Sequence, residues 1–189
     1  MELITTTKKR KAAWIQNEGF LAALVLALCL MFALREPLRA TTEPSDKELK
    51  ALFFEHEADF QRLVEMCRAD SHLTRIAQDF TWLENDTSWP RKNIGLSKKR
   101  WDEYRKLFRK LRLKGGVSRE NLPSPEIYFI ASAEGIVPSG SFKGYVYSPV
   151  PLSPTVDSLD GELAASSKGS RATAFKALKG SWYLYREDY

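Results

Sequence analysis

The hydropathy pattern of this chain is dominated by fifteen consecutive apolar residues at positions 20–34. At a rise of about 1.5 Å per residue they cover roughly 22 Å, which is less than the apolar core of a bilayer, about 30 Å thick. A helix that starts at Ala12 has 23 apolar-rich residues and is long enough, with Trp14 at the interface. We therefore predict a transmembrane signal-anchor core over 20–34 that contacts the membrane through 12–34.

Two alternative interpretations of this run are a buried helix of a soluble protein and a cleavable signal peptide. A cleavable signal peptide requires small residues at the −3 and −1 positions, and cleavage after Ala40 would place Leu38 at −3. Four basic residues at 8–11 precede the run, and only Arg35 and Arg39 follow it closely. The positive-inside rule then predicts a cytoplasmic segment over 1–19 and a single-pass protein of the inner (plasma) membrane, with an extracytoplasmic C-terminal domain.

Two amphipathic helices are predicted after a linker at 35–45. Ser45 and Glu48 form a capping box that starts the first helix, which the spacing of Leu49, Phe53 and Phe60 extends over 46–69. Ser97 caps the second helix, predicted over 98–113, whose aromatic stripe consists of Trp101, Tyr104 and Phe108 together with Leu111.

The rest of the domain has the character of β-structure. Strands are predicted at 126–133, which Glu134-Gly135 would end, at 142–148 and at 181–187, whereas 149–174 is typical of an irregular, exposed loop. The segment 73–84 suits either a helix or a strand, and the strand is favoured. The fold class is thus α+β, with two helices packed on a small antiparallel sheet in one domain over 46–189.

Composition argues against several functions. Residues 41–189 carry 23 basic and 21 acidic residues, so we expect no nucleic-acid partner. Cys67 is the only cysteine of the domain, which excludes an internal disulfide and a cysteine-based zinc site. The two histidines, His56 and His72, belong to no metal-binding motif. We therefore expect no catalytic residue, metal or cofactor, and an enzyme stays open as an alternative.

Charge separates strongly within the domain. Residues 43–86 hold eleven acids and five bases, whereas 91–120 hold twelve bases and three acids. The basic helix has three alternative partners: the acidic first helix, the anionic membrane surface and nucleic acid. The predicted extracytoplasmic location argues against nucleic acid. A solvated helix face is the simplest alternative. The candidate binding surface combines this helix with the following aromatic strand and comprises Arg105, Arg109, Arg112, Lys143, Tyr145 and Tyr147.

Four stretches of the chain together carry a resemblance. They are Leu-Phe-Phe-Glu-His-Glu-Ala-Asp-Phe at 52–60, Arg-Trp-Asp-Glu-Tyr-Arg-Lys-Leu-Phe at 100–108, Ser-Gly-Ser-Phe-Lys-Gly-Tyr-Val-Tyr at 139–147 and Trp-Tyr-Leu-Tyr at 182–185. The chain resembles small, uncharacterised, membrane-anchored proteins of Gram-negative bacteria. The resemblance implies a location in the bacterial envelope and transfers no activity.

The function expected from these observations is non-enzymatic. We predict a membrane-anchored envelope protein that acts by binding another envelope protein, and the sequence is compatible with a homo-oligomer. Two alternatives stay open: an enzyme acting on an envelope substrate, and a sensor of anionic lipid or another ligand that uses the basic helix 98–113.

Overall fold

The computed structural model describes residues 43–83, 95–119, 126–136, 139–161, 163 and 171–188. The predicted membrane segment and the cytoplasmic residues before it lie outside this range. Within the described part of the chain, no helix combines the length and the apolar character needed to cross a membrane.

The described residues form three helices: α1 at Asp46–Glu55, α2 at Glu57–Ala69 and α3 at Lys98–Lys110. The single helix predicted over 46–69 is wrong, because the chain bends at His56 (φ −125°, ψ 26°). The His56 amide still donates to the carbonyls of Leu52 and Phe53 at 3.1 Å each, so the bend keeps the helical hydrogen bonding. The second predicted helix is confirmed, but it ends at Lys110 rather than at 113.

Seven strands of the described residues form one antiparallel sheet in the order β2-β1-β3-β4-β5-β7-β6. Their bounds are β1 Leu73–Ile76, β2 Thr81–Leu83, β3 Gly116–Arg119, β4 Ile127–Ile136, β5 Ser139–Tyr147, β6 Ala172–Lys179 and β7 Trp182–Asp188. The α+β class is therefore confirmed, whereas the sheet is larger than predicted.

Three strand predictions are corrected. The segment 73–84 is not one strand but a short hairpin of β1 and β2, in which the Ala77 amide donates to the Phe80 carbonyl at 2.9 Å. Glu134-Gly135 does not end β4, because both residues pair with Ser141 and Gly140 of β5. The third correction concerns the start of β6, because residues 172–174 are predicted to be irregular but belong to this strand.

One face of the sheet packs against all three helices. Its centre is an aromatic cluster in which the Phe60 ring lies 4.5 Å from that of Tyr145 and 6.0 Å from that of Phe129. Phe53 and Trp182 complete the cluster at 5.2 Å from each other. Every one of these side chains is at most 6% exposed, so helices and sheet share a continuous core.

The opposite face of the sheet carries a second, smaller apolar cluster. Its members are Tyr128, Ile130, Val146, Phe175 and Tyr185. Part of the Pro-rich segment packs here: Leu152 contacts the cluster, and Thr155 forms a parallel bridge to β6. Further along, Leu159 is only 1% exposed. The prediction of an irregular, exposed loop therefore holds for most of 149–161, except that Leu152 and Leu159 pack against the domain, and it is wrong from Ala172 onward, where β6 begins.

Candidate functional site

The structure separates the six residues of the predicted binding surface. Lys143 and Tyr145 lie on the inner face of β5 with 1% and 0% of their surface exposed, so neither can contribute to an exposed surface. The Tyr145 hydroxyl donates to the carbonyl of Leu49 on α1 at 3.0 Å. Burial raises the pKa of Tyr145, so this phenol stays protonated and structural.

Tyr147 is half-buried at the end of the same strand. Its hydroxyl accepts a hydrogen bond of 3.2 Å from Arg68 of α2, whose guanidinium also lies 5.2 Å from the centre of the tyrosine ring. Tyr147 therefore joins β5 to α2, and its contacts do not include α3.

The aromatic stripe of α3 holds this helix rigidly against the core. The Trp101 indole donates to the carbonyl of Ala77 at 3.0 Å, and the Tyr104 hydroxyl donates to Asp70 at 2.9 Å. Arg105 stacks on the Trp101 ring at 3.9 Å and donates to the Gln78 carbonyl at 2.6 Å. These contacts make one side of α3 a fixed structural element.

The outward side of α3 is basic, and its charges are only partly balanced. Lys98 pairs with Asp102 on the same helix at 2.8 Å. In contrast, the exposed cations Lys99, Lys106 and Arg109 make no hydrogen bond or ion pair to any other described residue. We call these three side chains the basic face. Arg112 lies just beyond the helix, exposed and at φ 53°.

Acidic residues of α2 and its C-terminal end neutralise part of the basic charge of α3. Lys110 pairs with Asp59 at 2.5 Å, and Arg100 pairs with Asp70 at 2.8 Å. This is the internal pairing that the charge pattern suggested as one alternative, but it uses residues at the α2–α3 contact and not the basic face.

A buried charge network surrounds Lys143, on the inner face of the sheet and next to the first turn of α1. The Lys143 ammonium lies 2.6 Å from Asp160 and 3.0 Å from Asp46, whose other oxygen accepts from Lys176 at 3.0 Å and from the Leu159 amide at 2.9 Å. Burial alone would raise the pKa of Asp46. The hydrogen bonds from Leu159, Lys176 and Lys143 together outweigh burial and lower this pKa, so the carboxylate is ionised.

A second buried charge cluster ties the first described residues to the last strand. Arg186 of β7, 5% exposed, donates to Glu43 at 2.7 Å and to Asp188 at 2.9 Å. Burial alone would lower the pKa of Arg186, but the hydrogen bonds to Asp188 and Glu43 raise it. The sequence contained one signal for these buried charges, namely charged residues at core-facing positions of otherwise apolar strands.

Cys67 lies in a protected environment rather than in a reactive one. It is 1% exposed, and burial raises the pKa of its thiol to about 12, so the nucleophilic thiolate is scarce at neutral pH. His72 makes a 2.9 Å hydrogen bond to the Gly95 carbonyl, and His56 lies beside Asp59 and Glu55. Across the described ranges, no three His, Cys, Asp or Glu side chains group closely enough to hold a metal ion.

No protein-family model matches this chain, and no curated protein and no solved structure is significantly similar to it. Function therefore has to be argued from the surfaces and charges described above.

Proposed function

We propose that this chain is a membrane-anchored envelope protein that acts by binding an acidic protein partner through the basic face of α3. The observation that carries the proposal is the charge imbalance of this helix. Lys99, Lys106 and Arg109 are exposed and have no ion-pair partner among the described residues, whereas the other side of the helix is locked into the core.

A rigid helix with unbalanced cations suits a protein partner for two physical reasons. The backbone of α3 is already ordered, so binding requires no folding of this helix, and its conformational cost here is the ordering of the lysine and arginine side chains. Cations on one surface also attract an acidic partner over distances of about a Debye length and raise the association rate. The anchor and the envelope location follow from the apolar run at 20–34 and belong to the same proposal.

The test uses the full chain in its own host. A photo-crosslinking amino acid at position 99 should capture one protein reproducibly. The charge-reversal pair Lys106→Glu and Arg109→Glu should abolish that capture, because it turns attraction into repulsion. Arg62→Glu is the matched control for each of the two reversals made singly, since Arg62 is an exposed cation on α2. Equal capture by the reversed and control variants would refute the proposal, as would capture that does not weaken with salt.

A lipid surface is the second candidate, and one observation favours it. The β1–β2 hairpin places Trp82, 41% exposed, next to Phe80 at 5.6 Å between ring centres. The contact of Arg105 with Gln78 brings this aromatic pair beside the basic helix. Aromatic rings beside lysines and arginines are typical of surfaces that bind anionic headgroups.

Hydrogen exchange on the full chain in nanodiscs separates the two candidates. Binding of the domain to lipid predicts slower exchange in 77–83 and 98–110 in anionic discs than in zwitterionic discs, and Trp82→Ala should remove the difference. Identical exchange in both lipids would leave the protein-binding proposal and eliminate the lipid surface.

A further inference from the structure

A cleft lies between the first turns of α1 and the end of the edge strand β6. Its volume is about 330 Å³, within the size range of small-molecule sites. Its charged lining consists of Asp46, Lys47, Lys50, Asp160 and Lys176, and Ala177, Leu178 and Leu184 supply an apolar floor. The cleft is separate from the basic face of α3.

The two carboxylates of this cleft are occupied by donors of the protein itself. Asp46 receives the Leu159 amide and the Lys176 ammonium, each within 3.0 Å. One oxygen of Asp160 receives the amide of Asp46 at 2.9 Å and the ammonium of Lys143 at 2.6 Å. These carboxylates therefore position lysines and the 159–160 loop.

The lysines, in contrast, have unused hydrogen-bonding capacity. Lys47 and Lys50 are exposed one turn apart on α1 and make no hydrogen bond or ion pair to the described residues. The Lys176 ammonium carries three donors and uses one on Asp46. Three lysines line the cleft and Lys143 lies behind it, so four lysines face the two aspartates. The next acid of α1, Glu48, does not add to this count, because its carboxylate accepts a 2.7 Å hydrogen bond from the Ser45 hydroxyl.

We propose that this cleft binds the phosphate group of a small phosphate monoester whose apolar body lies on the floor. Lysine ammonium groups bind phosphate as point charges. At neutral pH a monoester carries a charge of about −1.5 to −2, which matches the excess of two cations. The volume and the apolar floor favour an ester over the bare ion. This site is independent of the protein-binding proposal, because it uses no residue of the basic face.

The test is calorimetric titration of the full chain in a maltoside detergent, which contains no phosphate, with phenyl phosphate and inorganic phosphate as probes. Phenyl phosphate should bind with a Kd below about 1 mM and more tightly than inorganic phosphate. The pair Lys47→Gln and Lys50→Gln should weaken binding about tenfold or more, since it removes two charge-assisted hydrogen bonds. Both side chains are exposed, so the variant should keep the circular dichroism spectrum of the original chain.

The matched control is the pair Lys99→Gln and Lys106→Gln, which removes the same charge from α3 and should change the Kd less than twofold. An equal loss in both pairs would mean unspecific attraction of anions and would overturn the site. So would the absence of binding at about 10 mM probe. Neither outcome affects the partner test on α3, which is read from protein crosslinking.

Discussion

Replacing Lys143 by Met tests whether the buried network stabilises the fold. Methionine keeps the apolar stem of the side chain and removes the ammonium, which lies 2.6 Å from Asp160 and 3.0 Å from Asp46. Asp46 is 6% exposed and would retain only Lys176 and the Leu159 amide as partners. The main cost is therefore a buried carboxylate with one fewer compensating cation.

The expected loss of stability is smaller than the cost of breaking a fully buried ion pair. Breaking a fully buried ion pair by removing one partner costs about 3–5 kcal/mol. Here the cost is smaller, because Asp46 keeps two donors and the half-exposed Asp160 regains water. We expect the free energy of unfolding at pH 7 to fall by about 2–3 kcal/mol, a large share of the 5–15 kcal/mol typical of a domain.

The pH dependence gives the sharper test. In the native chain the folded pKa of Asp46 lies below the ordinary value of an aspartate, so its ionised form stabilises the fold above about pH 4, and this contribution is lost as the pH falls through the folded pKa. Without Lys143, burial raises that folded pKa toward or above the unfolded value. The variant should thus recover relative stability on acidification, and its deficit should be smaller at pH 3.5 than at pH 7.

Urea unfolding of the full chain in non-ionic detergent, followed by tryptophan fluorescence, measures both quantities. Lys176→Met is the matched control, because this lysine donates to the same carboxylate but is 31% exposed. It should cost about 1 kcal/mol or less. Equal losses for the two variants, or a deficit for Lys143→Met that does not change with pH, would refute the argument from burial.

Three further predictions concern the core. Gly144→Ala should destabilise the domain by about 2–3 kcal/mol in the same assay, because a Cβ there meets the backbone of β4. Tyr145→Phe removes a buried hydrogen bond and should cost about 1–2 kcal/mol, whereas Tyr147→Phe, at a half-buried site, should cost less than about 0.5 kcal/mol. In a full chain carrying Cys29→Ala, Cys67 should react with a maleimide at pH 8 only after denaturant is added, since its thiol is buried and its pKa is raised to about 12; rapid labelling of the folded chain would contradict this.

The helices show what hydrophobic periodicity can and cannot predict. Phe53 and Phe60 are seven residues apart and both fully buried, so the apolar stripe passes through the bend at His56 without interruption. A 3.6-residue pattern therefore predicts the buried face correctly and cannot reveal the break between α1 and α2. The caps at Ser45 and Ser97, which depend on local side-chain chemistry, are both where the sequence predicts them.

The sheet shows the opposite limitation. Strand β6 lacks clear alternation because Lys176 occupies a position on its inner face, and Lys143 does the same in β5. A lysine in a strand normally indicates an exposed position. The burial of Lys143 depends on Asp46, which is 97 residues away in the chain and becomes a neighbour of Lys143 only in the folded state. The sequence alone therefore predicts an exposed Lys143 on a binding surface, and the structure buries it.

The same long-range pairs explain how the domain holds its first residues. Glu43 is fixed by Arg186 of β7, and Asp46 is fixed by Lys143 of β5 and Lys176 of β6. Each pair joins the start of the domain to one of its last three strands, so the segment that enters the domain cannot loosen without exposing buried charges. Because breaking such a pair costs far more than breaking a surface ion pair, the entry point should be among the last parts of the domain to open.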